Sequence, residues 1–560
     1  MRLTVRSSIV NNLVDEFAEL APLRDQIRFG NAISLPIAHL SYQHIAWLAD
    51  RYAEGGPGDA DGAAQLFALK RALGTDTHRF QPGDSLENLL LDLIRYLVGD
   101  ARYGWLFKVD MIDRPLPYLV TRIDYIAPSN EEMGKIVVEL KASAKGTTVV
   151  TSVRISNTDL NSRTIGEILL SKGLIKETHE LLATYDDSSA RYFAWRGRYG
   201  EQFAAQGMGF FAEDPHSSHR DTDWARKDVV VLSSSGGAAR LVNDESILPP
   251  RTAVLDATGD VLGTYLRKAA KTNIYEAEEE VRALARSLPD TMFRSLPVHG
   301  YIFVYHLELH SHLWVHVDDM RPYEYQPALK DKLVLPGEHI DLVDILTAEM
   351  GILAEDVVAG KSGGTTVLCA GPPGVGKTLT AEIYAEITRK PLYRVHSGQL
   401  GLNVAAMETA LKEVLVRAQR WGAVMLIDEA DVYIRRRNDD IATNAVVGVF
   451  LRVLEYFNGL LFLTTNRAED IDEAIISRCI AVIKYSVPDD AARRRIWEVM
   501  AGQFHLDLSD TILGQLVETF PTASGRDIKG LAKLVAKYCH HKAVAPDMEV
   551  FRRCALFRGL

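Results

Sequence analysis

The sequence predicts an α/β fold for residues 331–487, built around a parallel β-sheet, with a helical domain at 488–560 and an α+β region ahead of it. The first observation is the alternation of short apolar runs with helix-like stretches, at TTVLCA, LYRVH, AVMLIDEA and GLLFLTTN. This alternation is typical of parallel strands covered by helices on both faces. The second observation is that only amphipathic stretches, such as DAARRRIWEVMAGQF, follow from about residue 488. They predict a small helical lid on the parallel-sheet domain.

The sequence of the N-terminal half predicts two regions that differ in secondary structure. Residues 1–100 are mainly helical, because SYQHIAWLADRYAE and SLENLLLDLIRYLVGD carry apolar residues at three- and four-residue spacing. Residues 101–330 contain β-branched and aromatic runs such as KIVVEL and GTTVVTSVRIS, and we expect RTIGEILLSKGLIKETHELL to form one helical stretch among them. We interpret this part as an α+β recognition domain.

Composition narrows the class of protein. The 560 residues include 63 Lys plus Arg and 74 Asp plus Glu, a net charge of −11, which gives no general electrostatic reason to bind nucleic acid. The 4 cysteines are scattered and form no CxxC pair, so we expect neither a zinc site nor disulfides, but a reducing, cytoplasmic environment. No apolar run is long enough for a signal peptide or a membrane span.

The stretch GPPGVGKT, residues 371–378, fits the phosphate-loop pattern G-x-x-x-x-G-K-[ST] through Gly371, Gly376, Lys377 and Thr378. An apolar strand precedes it and a helix-like stretch follows, which is the context that the pattern requires. The glycines let backbone N–H groups converge on phosphate oxygens, and the helix N-terminus adds roughly half a positive charge. We expect Lys377 to reach the β- and γ-phosphates of ATP and Thr378 to ligate Mg²⁺. Further nucleotide contacts are assigned to Pro372, Pro373, Gly374, Val375 and Leu379.

Two later strands end in polar residues that suit nucleotide hydrolysis. VMLIDEAD delivers Asp428 and Glu429 at a strand tip, where ligands bind in open parallel sheets. We expect Asp428 to hold the metal and Glu429 to act as general base on, or at least orient, the attacking water. Asn466, at the end of LTTN, could position the water, although an Asn after a strand is commonly a turn residue.

One arginine stands where a transition-state cation is needed. Arg478 lies just before the strand-like AVIKYSV. An arginine that stabilises the γ-phosphate is often supplied by a neighbouring subunit. We therefore expect a closed ring, a homohexamer, in which Arg478 completes the site of the adjacent protomer.

These motifs, in this order and spacing, resemble the AAA+ ATPases, and within them the AAA group of protein-remodelling machines. The resemblance covers about 340–545. The chain is most similar to poorly characterised bacterial and fungal AAA proteins, which have one ATPase module behind a long, divergent N-terminal half. It implies adenine contacts from Asp356 and Val357 in EDVVAGKSGG, and a lid contact from Gly525 in SGRDIKGL. Ile528 stands where a second sensor arginine would be, so that sensor is absent, as is usual in this group.

The sequence departs from that group in the region that would line a central pore. SGQLGLNVAAMETAL has no aromatic residue, and Leu402 and Val404 are the nearest apolar substitutes. The run Arg435, Arg436 and Arg437 could contact an acidic substrate or nucleic acid, or form a loop that is solvated or ion-paired between subunits. The group usually carries a pair of arginines that stabilise the γ-phosphate of the adjacent protomer, and here Arg478 is the one that remains.

The stretch VHGYIFVYHLELHSHLWVHV holds five histidines, and alternation puts His310 and His312 on one face of a strand, as a metal site would need. No acid or cysteine set completes that site, so partly buried sheet residues are the preferred interpretation. The leading function is an Mg²⁺-dependent ATPase that remodels or disassembles an unidentified protein partner. The alternatives are a nucleic-acid-linked ATPase, in mobile-element or phage-defence biology, and a nucleotide-gated scaffold.

Overall fold

The structure of the 560-residue chain is a computed structural model. It describes residues 2–23, 32–37, 40–53, 60–74, 78–109, 114–130, 132–213, 228–233, 237–248, 260–272, 275–332, 334, 341, 345, 364–401, 403–437, 440–455 and 457–560. Within these ranges, no helix is both long enough and apolar enough to cross a membrane.

The N-terminal part combines helices with a strand pair that the apolar spacing did not indicate. Strands β1 and β2 pair antiparallel, and Ser85 caps one of the helices by accepting a hydrogen bond from the Glu87 N–H. The elements are β1 (Arg2–Arg6), α1 (Ser7–Glu16), a 3-10 helix (Ala18–Leu23), β2 (Ala32–Pro36), α2 (Tyr42–Ala53), α3 (Ala60–Leu73) and α4 (Leu86–Val98).

A five-stranded antiparallel sheet follows, in the order β6-β5-β4-β3-β7. Its elements are β3 (Trp105–Lys108), β4 (Leu116–Ile126), β5 (Lys135–Ala144), β6 (Thr147–Ser156), α5 (Asn157–Leu160), α6 (Ile165–Ser171), β7 (Leu174–Lys176) and α7 (His179–Trp195). The prediction of one helical stretch across RTIGEILLSKGLIKETHELL is wrong. Gly173, with φ of +74°, turns the chain out of α6, and Thr178 caps the N-terminus of α7, which leaves three residues between them for β7.

A second antiparallel sheet has seven strands in the order β10-β9-β13-β12-β11-β8-β14. Its elements are β8 (Gln202–Ala205), β9 (Gly207–Phe211), β10 (Val229–Leu232), β11 (Ala239–Asn243), a 3-10 helix (Glu245–Ile247), α8 (Val261–Thr272), α9 (Tyr275–Ser287), β12 (Tyr301–His306), β13 (Ser311–His316), a 3-10 helix (Val317–Asp319), β14 (Met320–Pro322) and a 3-10 helix (Pro327–Lys332). The α+β prediction for the N-terminal region is confirmed.

The parallel sheet has the order β16-β17-β18-β15-β19, with all four pairings parallel. Its elements are β15 (Thr365–Ala370), α10 (Lys377–Thr388), β16 (Leu392–His396), α11 (Ser397–Leu400), α12 (Val404–Trp421), β17 (Val424–Asp428), α13 (Asp431–Ile434), α14 (Ile441–Leu454), β18 (Leu460–Thr465), α15 (Glu473–Ile476) and β19 (Ala481–Lys484). This confirms the predicted fold class. Apolar clusters lie on both faces of the sheet, one against α10 and one against α12 and α14.

The C-terminal region is helical, as the sequence predicts. Trp497 and Leu531 are fully buried in its own apolar cluster, so the lid has a separate core. The helices are α16 (Asp490–Phe504), α17 (Asp510–Thr519), α18 (Gly525–Lys542) and α19 (Met548–Leu556).

The seven-stranded sheet joins the parallel-sheet domain through a buried carboxylate. Asp244 is 0% exposed and accepts hydrogen bonds from Arg420 (Nε–Oδ1 2.9 Å) and Trp421 (Nε1–Oδ1 2.7 Å) at the end of α12, while His312 Nε2 lies 2.8 Å from its Oδ2. We call these four residues the Asp244 junction. The predicted domain boundaries at 100, 330 and 487 stay predictions.

Candidate nucleotide-binding site

The phosphate loop, residues 371–376, connects the end of β15 to the start of α10. Its shape depends on glycines. A Cβ on Gly371 (φ +153°) would lie 2.3 Å from the Tyr485 carbonyl oxygen, and one on Gly374 (φ +83°) would lie 2.7 Å from Ser524 Oγ. Side chains at these positions would collide with the neighbouring backbone or strain the loop. Pro372, Pro373 and Leu379 are exposed beside it, and Val375 is half-buried.

Lys377 extends across the loop. Its Nζ donates hydrogen bonds to the carbonyl oxygens of Gly371 (2.7 Å) and Pro372 (2.6 Å) and to Asn466 Oδ1 (2.9 Å). Burial lowers the pKa of Lys377, while the carboxylates of Asp428 and Asp431 act in the opposite direction. The ammonium group is thus held between the loop and the end of β18.

Thr378 and Asp428 form a compact oxygen pair. The Thr378 hydroxyl donates to Asp428 Oδ1 at 3.2 Å, and the Thr464 hydroxyl donates to the same oxygen. Burial raises the pKa of Asp428, but the Thr464 hydrogen bond and the charge of Arg394 outweigh it and leave the pKa below its usual value. An ionised carboxylate beside a hydroxyl is the hard-oxygen donor set that suits Mg²⁺. These residues therefore fit the predicted metal.

Glu429 follows Asp428 in an unusual backbone conformation. Its φ is +55°, in the left-handed region that non-glycine residues rarely adopt, and its N–H donates to Thr464 Oγ1 at 3.0 Å. The side chain is exposed at the carboxyl edge of the sheet. The turn follows the end of β17, and because β15 and β17 both run parallel to β18, Glu429 lies at the same edge of the sheet as the phosphate loop.

Asp431 is a site residue that sequence reasoning missed. Its Oδ1 accepts hydrogen bonds from the Asn466 backbone N–H (3.1 Å) and from the Thr465 hydroxyl. The Asn466 side chain in turn accepts a hydrogen bond from Lys377. Asp431 therefore holds the backbone of Asn466, the residue that binds the lysine. The available signal was a third acid in IDEAD, three residues after Asp428.

The lid touches the phosphate loop through the N-terminus of α18. The Arg526 N–H donates to the Gly374 carbonyl at 3.1 Å, and a Cβ on Gly525 would lie 3.3 Å from the same oxygen. Gly525 is therefore beside the loop, as the lid prediction requires. The predicted adenine contacts, Asp356 and Val357, lie outside the described residues.

Arg478 lies near the amino ends of the strands, away from the carboxyl edge that carries the phosphate loop. Its guanidinium pairs with Glu455 and donates to the Ala474 carbonyl at 3.1 Å, and two residues later the Ile480 N–H donates to Thr366, near the start of β15. The phosphate loop begins five residues after Thr366, so about 16 Å of strand separates this point from the chain's own loop.

The three-arginine run packs on the segment before Arg478. Arg437 pairs with Asp472 (Nε–Oδ2 2.9 Å), the residue that caps α15, and the Arg436 N–H donates to the Asp470 carbonyl at 3.0 Å. Arg435 forms a β-bridge with Ile471. Of the three side chains, Arg437 is therefore ion-paired within the chain, whereas the contacts of Arg435 and Arg436 are made by the backbone. Of the pore-region residues, Val404 begins α12, and Leu402 lies outside the described residues.

The expected histidine pair on one strand face is wrong. His310 lies in the turn between β12 and β13 with φ of +53°, and His312 is at the Asp244 junction. Within the described ranges, no group of three or more His, Cys, Asp or Glu side chains is arranged to hold a metal ion.

Comparison with known proteins agrees with this geometry. Residues 367–487 match the family described as "ATPase family associated with various cellular activities (AAA)". Residues 367–487 are therefore an AAA ATPase domain, and the resemblance to the AAA ATPases is confirmed for this range.

The relatives match about a third of the chain. A putative 26S proteasome regulatory subunit homolog of Methanothermobacter thermautotrophicus is 32% identical over 195 residues, which cover 33% of this chain and 51% of that protein. Fidgetin-like protein 1 of Drosophila melanogaster is 29% identical over 195 residues, covering 33% and 37%. The human peroxisomal ATPase PEX1 is 29% identical over 177 residues, covering 30% and 14%. The chain thus spans about half, or less, of the length of these relatives.

Proposed function

We propose that this protein is an Mg²⁺-dependent ATP hydrolase that works as a ring. The observation that carries the proposal is that two hydrogen-bonded pairs, Lys377 with Asn466 and Thr378 with Asp428, lie at the carboxyl ends of three adjacent strands. Lys377 and the loop amides would bind the triphosphate, and Thr378 and Asp428 would hold Mg²⁺, which neutralises phosphate charge. Glu429 would accept the proton of the attacking water, and Asn466 would orient that water.

The position of Arg478 supports the proposed ring. The segment that carries Arg478 contacts β15 at Thr366, about 16 Å of strand before the chain's own phosphate loop, so Arg478 is better placed to serve the site of an adjoining protomer. We therefore propose a homohexamer in which each Arg478 leaves Glu455 to contact the neighbour's nucleotide.

The proposed substrate is a protein partner, remodelled or disassembled as ATP is hydrolysed. One relative is named for the proteasome regulatory subunit, a part of a protein assembly, and another is named as an ATPase. In the arginine run, the main sequence feature that could favour nucleic acid, the Arg437 side chain is paired with Asp472.

The test compares Glu429→Gln with Glu469→Gln, an exposed glutamate of the loop after β18. We expect Glu429→Gln to bind ATP like the unaltered protein and to hydrolyse it about 10²- to 10⁴-fold more slowly, while Glu469→Gln keeps both properties. Binding is read with a fluorescent ATP analogue and hydrolysis by phosphate release. Normal turnover in Glu429→Gln would remove the proposed base, and absence of ATP binding by the unaltered protein would remove the proposed function.

The partner class is tested with the ATP-trapped Glu429→Gln protein. We expect a protein to co-purify with this variant. We expect the ATPase rate of the unaltered protein to be unchanged by added DNA or RNA. Stimulation by nucleic acid that falls steeply with salt would instead favour the nucleic-acid alternative.

A further inference from the structure

The strand β16 carries a charged residue on the face where apolar residues pack against α10. Side chains two residues apart share a face of a strand, so Arg394 lies on the same face as Leu392, which is in the α10-side apolar cluster. On the neighbouring strand β17, Val424, Leu426 and Asp428 share that face. An arginine at this position is therefore aimed at the region between the sheet and the first turns of α10.

Arg394 binds Oδ2 of Asp428, the oxygen that does not accept a hydrogen bond from Thr378 or Thr464. Its Nη2 donates to Asp428 Oδ2 at 2.5 Å, whereas the Thr378 and Thr464 hydroxyls both donate to Oδ1. Its Nη1 lies 3.8 Å from Glu382 Oε1, one turn after Thr378 on α10. The two carboxylate oxygens of Asp428 thus have separate partners, which fixes the rotation of the group.

We propose that Arg394 is a positioning residue for Asp428: it turns Oδ1 toward Thr378 and screens the carboxylate so that a divalent cation binds with the nucleotide rather than before it. The inference rests on the proposed function and deepens it. A carboxylate with one oxygen ion-paired presents less negative charge to a bare cation, because the guanidinium charge lies at hydrogen-bond distance from it. The triphosphate brings its own negative charge, which restores the attraction for the metal.

The first measurement needs no nucleotide. Mn²⁺ is titrated into the full-length protein and its binding is followed by electron paramagnetic resonance. We expect Arg394→Met to bind Mn²⁺ about tenfold more tightly than the unaltered protein, because the screening charge is removed. The control is Arg452→Met, which removes a more exposed arginine paired with Glu408 at 2.6 Å and should leave Mn²⁺ binding unchanged.

The second measurement follows hydrolysis at saturating ATP across a range of Mg²⁺ concentrations. We expect kcat of Arg394→Met to fall at least tenfold, because Asp428 loses its fixed rotation, with little change in ATP affinity measured in EDTA. Arg394→Lys keeps the charge with fewer donors, so it should restore Mn²⁺ binding to that of the unaltered protein and recover part of kcat.

Two results overturn the inference: Mn²⁺ affinity of Arg394→Met within twofold of the unaltered protein, or unchanged kcat in that variant. If Arg394→Met does not fold, Arg394→Gln, which keeps a polar side chain, carries the same expectations and the same refutation. Failure of the unaltered protein to bind ATP would refute the proposed function instead, and the nucleotide-free Mn²⁺ comparison would still decide the role of Arg394.

Discussion

Replacing Asp244 by Ala should loosen the contact between the seven-stranded sheet and the parallel-sheet domain by about 4 kcal/mol. The carboxylate is fully buried, and it is the shared acceptor for Arg420 and Trp421. Removing one partner of a buried ion pair costs about 3–5 kcal/mol. We take about 3 kcal/mol for the charge, since Arg420 is 28% exposed and water can partly solvate it. The buried Trp421 N–H left without an acceptor adds about 1 kcal/mol.

Amide hydrogen exchange is the suitable assay, because a chain with several regions does not unfold in one two-state step. Peptides that cover the end of α12 should lose protection by about three orders of magnitude in Asp244→Ala, at roughly 1.4 kcal/mol per tenfold. The matched control is Asp50→Ala, which removes an exposed carboxylate paired with Lys70 at 2.6 Å and should cost no more than about 1 kcal/mol. Protection within tenfold of the unaltered protein in Asp244→Ala would refute the reasoning.

Further predictions concern the pH dependence of the Asp244 junction, Arg478, the backbone turn at Glu429 and the α15 cap Asp472. The pKa of Asp244 is lowered: burial raises it, but hydrogen bonds from His312 and Trp421 and the charge of Arg420 outweigh burial. Its contribution is therefore present above the unfolded pKa of about 3.9 and lost as pH falls through the lower folded pKa, so Asp244→Ala and the unaltered protein should converge in exchange only below about pH 4. Arg478→Ala should bind ATP but hydrolyse it about a thousandfold more slowly, and mixing it with Lys377→Ala should restore part of the phosphate release; no recovery would contradict action across subunits. Glu429→Gly should melt at a higher temperature than Glu429→Ala, by the equivalent of about 1 kcal/mol, since glycine tolerates a φ of +55°; equal melting would show that the turn is unstrained. Asp472→Ala should lower the thermal stability of the parallel-sheet domain by about 1–2 kcal/mol through loss of the α15 cap and of the Arg437 ion pair, with ATP affinity unchanged; weaker ATP binding would contradict a purely local effect.

Sequence patterns were sufficient for the parallel-sheet domain because its signals are local. The phosphate loop, the acid pair after β17 and the polar end of β18 each lie within a few residues of a buried strand, and a parallel sheet brings all its carboxyl ends to one edge. Spacing along the chain therefore already implied that Lys377, Asp428 and Asn466 would meet.

Other features depend on contacts that no local pattern records. Asp244 meets Trp421 across 177 positions of the chain, and Arg394 meets Asp428 across 34, so neither partner could be named from the residues around it. The histidine pair failed for a different reason: periodicity assumes a continuous strand, and His310 sits in a turn whose positive φ breaks it. In the same way, apolar spacing across 163–182 did not reveal that Gly173 divides the stretch.

The end of β18 links the two acids of the site to neighbouring residues of one strand. Thr464 donates its hydroxyl to Asp428 and Thr465 donates its own to Asp431, on opposite faces because successive side chains alternate. A displacement of the end of this strand would therefore affect both hydrogen bonds together. The positions of the proposed metal ligand Asp428 and of Asp431 therefore depend on the same two residues of β18.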